Sequence, residues 1–266
     1  MADDPLDEWV GQAIDWLADH IHANLGFERA LRQHRWRAAH TLSVYQTAHG
    51  LEGLAMAAPH GDWFVEALHA TAAGSLAAMV SATTQPHVLT TSASTAEWIR
   101  PSLQRGAMVQ REQTLRALMC AATVSPGQGR WAQEADIPVV RAAVTEAPAR
   151  QRLWPLPDVA QLVARRRVAV LDGGPGLACV VVLDEETTHY ACIADVLCGA
   201  DARGLQQAGE LIAFVAADLL QRRPAVHILL DADDAAMAAV LRARGFVDGG
   251  GCYRAWLTWD QPTPTP

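Results

Sequence analysis

The sequence contains no lysine: all 21 of its basic residues are arginines, in a chain of 266 residues. A Walker A nucleotide site needs a lysine on the β- and γ-phosphates, and Schiff-base chemistry needs a lysine amine. Both classes of site are therefore excluded, including a pyridoxal phosphate enzyme.

Long apolar runs are also missing from the sequence. No stretch of about 18 or more apolar residues without charge occurs, so no membrane span and no membrane partner are expected. Residues 1–8 are acidic rather than basic, which is unlike a secretory signal. We therefore expect a cytoplasmic protein.

Positive charge is too scarce for a nucleic-acid partner, because the net charge is −8. Metal-ligand spacing is missing as well: there is no HExxH and no CxxC, and His20 and His22 would diverge on a helix. The five cysteines lie in apolar surroundings, which favours reduced, buried thiols. No metal is expected.

What is present is a regular alternation of helical and extended patterns. In the first half we predict helices at 6–23, 71–82 and 94–104, and strands at 41–45, 51–58, 63–68, 86–90 and 107–121. In the second half we predict helices at 136–145, 156–165, 205–221 and 233–242, and strands at 130–133, 167–171, 177–183, 188–198, 224–231 and 252–259. Glycine-rich segments predict a hairpin at Asp172–Gly176 and a turn at Gly249–Gly251.

The order of elements is the same in both halves, which favours an internal duplication. The segment Ala73–Val80 also resembles Ala208–Val215, although alanine-rich helices can look alike by chance. A linker, TVSPGQGR, predicts two lobes, 1–124 and 125–266, with a disordered tail at 260–266. The fold class is α/β (α+β), with a mixed, mostly antiparallel sheet flanked by helices in each lobe.

The segment between the predicted strand 188–198 and the long helix after it predicts an anion site. The first amides of a helix have no intrahelical acceptor and the helix dipole makes this end positive, so a pyrophosphate can bind there. Arg203, followed by Gly204, would add a full charge. An ordinary turn with a solvated arginine is the alternative.

Three segments of the second half resemble the GNAT superfamily of acyl-CoA N-acyltransferases over residues 130–259. Arg130–Asp136 resembles the first strand and helix entry, Arg203–Ala208 the phosphate loop, and Arg242–Phe246 the closing Gly-Phe corner. Residues 1–122 resemble a degenerate copy, as in two-lobed GNAT proteins. The resemblance implies a GNAT-type fold and acetyl-CoA or another acyl-CoA as co-substrate, with no covalent intermediate.

The resemblance also implies where the cofactor would bind. The pantetheine arm would bond to the edge of a strand at Val196, Leu197 and Cys198, as an added strand does. The phosphates would lie on the turn and first helical residues, namely Arg203, Gly204, Leu205, Gln206, Gln207, Ala208 and Gly209.

Three positions depart from the family pattern. Gln206 stands where the phosphate loop has glycine, Cys192 where many members carry a glutamate base, and Leu241 where a tyrosine acid is common. The substitutes that we single out as catalytic are Asp195, His189 and Tyr253. Strand alternation puts Asp195 on the opposite face from Cys192 unless a bulge intervenes.

The leading hypothesis is an N-acyltransferase, with acetyl as the expected acyl group, in which a small-molecule or peptide amine attacks the thioester directly. The alternative is a non-catalytic acyl-CoA-binding or regulatory protein, which the unfilled glutamate and tyrosine positions favour. A purely structural duplicated lobe is the third hypothesis. The sequence leaves an oligomer possible and does not identify the acceptor.

Overall fold

The computed structural model describes residues 5–18, 27–28, 31, 41–57, 63–82, 87–106, 108–146, 158–174, 176–183, 186, 190–199 and 201–258. The chain forms two compact units. Unit 1 comprises residues 1–117 and 249–266, and unit 2 comprises residues 118–248. The predicted disordered tail at 260–266 lies outside the described residues. No helix of the described segments is long and apolar enough to cross a membrane.

Unit 1 is a mixed sheet with helices. Its elements are α1 (Pro5–Ala18), β1 (Thr41–Thr47), β2 (Gly50–Ala57), β3 (Trp63–Ala67), α2 (Ala70–Ser81), β4 (His87–Ser92), α3 (Ala93–Gly106), β5 (Met108–Cys120) and β11 (Val247–Thr258). The strand order is β1-β2-β3-β4-β11-β5. Pairs β1–β2, β2–β3 and β4–β11 are antiparallel, and β3–β4 is parallel. The buried residues of α2 recur at helical spacing and pack on this sheet, namely Ala72, Ala73, Leu76, Ala77 and Val80.

Unit 2 repeats this arrangement. Its elements are β6 (Arg130–Trp131), a 3₁₀ turn (Glu134–Asp136), α4 (Ile137–Glu146), α5 (Val159–Ala164), β7 (Val168–Asp172), β8 (Leu177–Leu183), β9 (Tyr190–Cys198), α6 (Ala202–Leu219), β10 (Ala225–Asp231) and α7 (Ala235–Arg242). The strand order is β10-β9-β8-β7-β6. All of these pairs are antiparallel except β9–β10. The buried stripe of α6, from Ala208 to Leu219, forms the core with β8, β9 and β10.

The two units therefore share one strand order with the same directions. In each, three consecutive antiparallel strands are followed by a helix and a fourth strand parallel to the third: β1 to β4 in unit 1, and β7 to β10 in unit 2. The predicted mixed, mostly antiparallel α/β class is confirmed, as is the β7–β8 hairpin, where Gly174 has φ +90°.

The last strand differs from the sequence prediction in two ways. It pairs with β4 of unit 1, from Cys252 opposite Ser92 to Leu257 opposite His87, although the sequence assigned it to the second lobe. The predicted turn at Gly249–Gly251 is wrong, because these glycines lie within β11. A Cβ on Gly251 would lie 2.8 Å from the Cβ of Ala93, so the strand passes close to α3 where only a small residue fits.

Arg130 joins three segments of unit 2. Its guanidinium donates to both carboxylate oxygens of Asp136, at 2.6 and 3.0 Å, and to both of Asp172, at 2.9 and 3.0 Å. Hydrogen bonds from Arg130 lower the pKa of each carboxyl. The Asp136 side chain is 15% exposed and that of Asp172 is 62% exposed, so we expect Asp136 to form the stronger interaction.

We predict that Asp136→Asn lowers the free energy of unfolding by about 1–2 kcal/mol at neutral pH, because it removes the charge from a paired carboxylate. The folded-state pKa of Asp136 is lowered. This stabilisation is therefore complete above the unfolded pKa of about 4 and disappears as the pH falls through the lower folded value. The difference between wild type and variant in urea unfolding should accordingly shrink in acid.

Asp172→Asn is the matched control, and it should lower the free energy of unfolding less than Asp136→Asn does, because its pair is solvated. Equal losses in the two variants would contradict the assignment of the main interaction to Asp136.

Candidate functional site

Strands β9 and β10 separate part of the way along their length. They pair in parallel register over four residues only, from Tyr190 opposite Ala225 to Ile193 opposite Ile228. Strand β9 then continues to Cys198 while pairing with β8, and β10 continues to Asp231. The residues of β9 are buried up to Ile193, where the β9–β10 pairing ends, and half-buried from there to Cys198. We call the part of unit 2 between β9 and β10 beyond this pairing the wedge, and one edge of β9 borders it.

A β-bulge lies at the start of this wedge. Val182 pairs with Asp195, and the next residue, Leu183, pairs with Ile193, so Ala194 is an extra residue in β9. A bulge reverses the alternation of side chains beyond it. Asp195 is consequently on the same face as Cys192, which is the exception that the sequence analysis allowed for.

The core clusters agree with this reversal. Ala191 and Ile193 before the bulge, and Val196 and Cys198 after it, all pack in the cluster that contains α6. Leu197 packs in a different cluster, with Val180 and Val182.

Helix α6 begins three residues earlier than predicted, at Ala202. Asp201 is its N-cap, and the Asp201 Oδ1 accepts a hydrogen bond of 2.8 Å from the Gly204 amide. Arg203 and Gly204 therefore belong to the first helical turn, not to a loop before it. An anion bound at this helix end would lie near the Asp201 carboxylate, which already accepts the hydrogen bond of the Gly204 amide.

Gly204 has a packing role at this turn. A Cβ there would lie 2.0 Å from the carbonyl oxygen of Gly199, so the strand-to-helix connection packs directly against the helix. Gly209 is similar, since its Cβ would lie 2.5 Å from the Val240 side chain of α7. Both glycines allow close packing whether or not a ligand binds.

The residues predicted to bind the cofactor fall into three groups by exposure. Arg203 and Gln206 are exposed, Leu205 and Gln207 are half-buried, and Gly204, Ala208 and Gly209 are buried. Val196, Leu197 and Cys198 are half-buried on the part of β9 beyond its pairing with β10. The accessible groups are thus the β9 edge and the Arg203 side of the first helical turn.

The charges around Cys198 are negative. The hydrogen bond with Cys179 lowers the pKa of the Cys198 thiol, and burial and the carboxylates of Asp234 and Asp201 oppose this decrease. Asp234 is the N-cap of α7, and its Oδ1 accepts from the Met237 amide at 2.9 Å. Arg203 is the cation of the first turn of α6. No group of three or more His, Cys, Asp or Glu side chains in the described segments could hold a metal ion.

The structure describes two of the three predicted catalytic residues, one in each compact unit. Asp195 lies on β9 just after the bulge. Tyr253 lies on β11 in the other compact unit, and its hydroxyl donates to Glu112 at 2.7 Å while Arg100 covers its ring. Burial, with the hydrogen bond to Glu112, raises the pKa of Tyr253 to about 12. His189 lies outside the described residues.

Two side-chain groups near the wedge were missed by the sequence analysis. Buried His227 on β10 is the register partner of Cys192, and its ring packs edge-on against Tyr190 at 5.4 Å between centroids. Cys179 on β8 lies opposite Cys198. Both groups depend on the pairing register of three strands, for which the sequence contains no local signal.

The corresponding region of unit 1 is closed by hydrogen bonds. Buried Glu66 on β3 accepts from the Ser92 hydroxyl at 2.7 Å and the Thr95 hydroxyl at 2.8 Å. The amide of Ala67, the last residue of β3, donates to the Thr95 hydroxyl at 3.2 Å. The backbone of β3 is therefore already bonded at the position that corresponds to the part of β9 beyond its pairing with β10.

Comparisons with known proteins identify the fold. No family model matches the sequence, and no curated protein matches it. A Drosophila protein of known structure aligns with 96% of this chain and 97% of its own, at a TM-score of 0.64 and 14% identity.

Two bacterial structures carry the name of the fold family. One is a GCN5-related N-acetyltransferase from Kribbella flavida, which covers 85% of this chain and 92% of its own at a TM-score of 0.54 and 6% identity. The other, described as an acetyltransferase of the GNAT family, is from Novosphingobium aromaticivorans and covers 74% and 84% at a TM-score of 0.51 and 17% identity. The chain has the GNAT fold.

We predict that Gly204→Ala lowers the free energy of unfolding by about 1–3 kcal/mol, because the added methyl group overlaps the Gly199 carbonyl. The control is Gly74→Ala in α2, where a Cβ would meet nothing within 4 Å. Alanine there should stabilise the protein by about 0.5–1 kcal/mol through helix propensity. Chemical denaturation of both variants would test this, and a stabilised Gly204→Ala protein would show that the connection does not pack on the helix.

Proposed function

We propose that this protein is an acyl-CoA-dependent N-acyltransferase whose cofactor site is the wedge of unit 2. The observation that supports it most is the end of β9–β10 pairing after Ile193 and Ile228, while β9 itself continues to Cys198 and leads into α6. An unpaired strand edge can accept an extended amide chain as an added strand. Pantetheine carries two amides in such a chain, and the N-terminus of α6 is the nearest group of amides suited to its phosphates.

The reaction follows from this placement. A neutral amine of a small molecule or peptide attacks the thioester carbonyl, a C–N bond forms, the C–S bond breaks and CoA leaves as the thiolate. The ammonium proton passes to water or to a base. Acetyl is the acyl group that we propose, and Asp195 is the described carboxylate on the same face as Cys192 that could assist.

The second candidate is a protein that binds acyl-CoA without transferring the acyl group. This candidate is favoured because neither position at which a GNAT enzyme commonly has its base or its acid holds such a residue. Cys192 has no carboxylate to act as the base, and Leu241 has no hydroxyl to act as the acid and is fully buried in the core. Release of free CoA in an amine screen separates the two candidates.

We further propose that the two lobes arose by duplication and that only the second binds cofactor. The shared strand order and directions support the first part. The Glu66, Ser92 and Thr95 hydrogen bonds support the second, because they occupy the edge that pantetheine would need.

Charge changes at the start of α6 test the cofactor site. Arg203→Glu should weaken acetyl-CoA binding by about 1–3 kcal/mol, the range for losing a charge-assisted contact. Asp201→Asn should strengthen it by up to about 1 kcal/mol, because asparagine keeps the helix cap but removes a like charge beside the phosphates. Calorimetry with acetyl-CoA and free CoA measures both.

Both variants must first be shown to unfold at the wild-type temperature. Unchanged affinities in both folded proteins would mean that the phosphates bind elsewhere, and no binding to wild type would reject the cofactor itself.

The catalytic proposal predicts that no single acid or base is indispensable. A positioned base contributes about 10²–10⁴-fold, whereas orientation in a cleft can contribute as much or more. Asp195→Asn, His189→Ala and Tyr253→Phe should each retain activity within about tenfold, and the rate should rise with pH toward the pKa of the free amine. A thousandfold loss in one variant with intact acetyl-CoA binding would identify that residue as catalytic and contradict the prediction.

A further inference from the structure

Cys179 and Cys198 face each other across two strands of unit 2. Their Cα atoms are directly opposite in the antiparallel register of β8 and β9. Both side chains pack in the cluster formed with α6, so they lie on the same face of the sheet. Two thiols on one face at one register position are neighbours.

This arrangement fits the geometry of a disulfide. Opposite residues of an antiparallel pair have Cα atoms about 4.5–5.5 Å apart, within the range of about 4.4–6.8 Å found for disulfides. Their Cβ atoms are about 4.5–5.5 Å apart, whereas a disulfide needs about 3.5–4.5 Å. Bond formation thus requires an approach of about 1 Å, which paired strands can supply by twisting.

The two thiols also differ in accessibility and acidity. Cys179 is buried, whereas Cys198 is half-buried at the end of β9. The Cys179 thiol donates a hydrogen bond to the Cys198 sulfur, which lowers the pKa of Cys198 and raises that of Cys179. Burial and the carboxylates of Asp234 and Asp201 oppose this decrease. Cys198 is therefore the thiol that ionises first and meets solvent first.

Two of the other cysteines lie opposite residues other than cysteine. Cys192 lies opposite His227, and Cys252 lies opposite Ser92. Cys120 donates to the Ala122 carbonyl at 3.4 Å. Burial raises the pKa of the Cys252 thiol to about 11, so this cysteine is a suitable unreactive reference.

We propose that Cys179 and Cys198 form a reversible redox pair, which hydrogen peroxide converts to an intramolecular disulfide. The Cys198 thiolate attacks one peroxide oxygen, an S–O bond forms, the O–O bond breaks, and hydroxide leaves and takes up a proton as water. The sulfur is now a sulfenic acid. The Cys179 thiol attacks that sulfur, the S–S bond forms, the S–O bond breaks, and a second water leaves. Two thiols and one peroxide thus give one disulfide and two waters.

The test is a peroxide titration of the reduced full-length protein. After denaturation and reaction with a thiol reagent, the five thiols should fall to three with excess hydrogen peroxide and return to five with dithiothreitol. Intact mass should decrease by two hydrogens, and peptide mapping should link the segments that contain Cys179 and Cys198. A linkage between other cysteines, or an unchanged thiol count, would overturn the proposal.

Three single variants complete the test. Cys252→Ser removes the reference cysteine and should still lose two of its remaining thiols. Cys179→Ala should stop at a sulfenic acid on Cys198, which dimedone labels. Cys198→Ala should form no intramolecular disulfide. If a variant fails to fold, mapping of the disulfide in the wild-type protein still tests the proposal, because it depends on no substitution. An intramolecular disulfide that forms in Cys198→Ala to the same extent as in the wild type would contradict the assignment.

Discussion

Backbone pairing between β9 and β10 extends over four residue pairs and then stops, and the chemistry that unit 2 can perform depends on this limit. The bulge at Ala194 lies at the point of separation and turns the rest of β9 relative to its first half. Beyond the bulge, one edge of β9 pairs with β8 and the other edge borders the wedge. The same bulge brings Asp195 to the face of Cys192 and Cys198 to the face of Cys179. One extra residue thus determines which side chains can act together.

Unit 1 has the same strand order, but hydrogen bonds from side chains occupy the end of its third strand. Its third and fourth strands also end their pairing early, at Val65 and Thr91. There the next residue, Glu66, extends its carboxylate to the Ser92 hydroxyl and amide, while Thr95 bonds to the Ala67 backbone. A carboxylate that is 1% exposed, as Glu66 is, is stable only with such hydrogen-bond donors. The hydrogen bonds around Glu66 are therefore part of the stable structure of unit 1. Two lobes with one topology can therefore differ in ligand binding through a few polar side chains.

Much of the fold could be predicted from the sequence because apolar residues recur at a characteristic spacing in helices and in strands, and glycines mark tight turns. The hairpin at Asp172–Gly176, the strand Trp63–Ala67 and the long helix after β9 all have such signals. Glycine caused the two main errors of position. The sequence predicts turns at Gly204 and at Gly249–Gly251, although both segments lie inside regular elements, and a neighbour approaches Gly204 and Gly251 closely. A glycine can indicate a close neighbour as well as a bend, and only packing distinguishes the two.

The site could be predicted less well, since its geometry depends on register. Neither the Ala194 bulge nor the pairing of Cys179 with Cys198 has a local sequence signal, because each is defined by residues on another strand. The helix cap is a different case. Asp201 is a typical N-cap residue, and the predicted positive site contains this carboxylate as a structural requirement of α6. A helix dipole contributes about half a charge at its end, less than the full negative charge of its own cap. An anion at this helix end would therefore depend on the charge of Arg203 more than on the dipole.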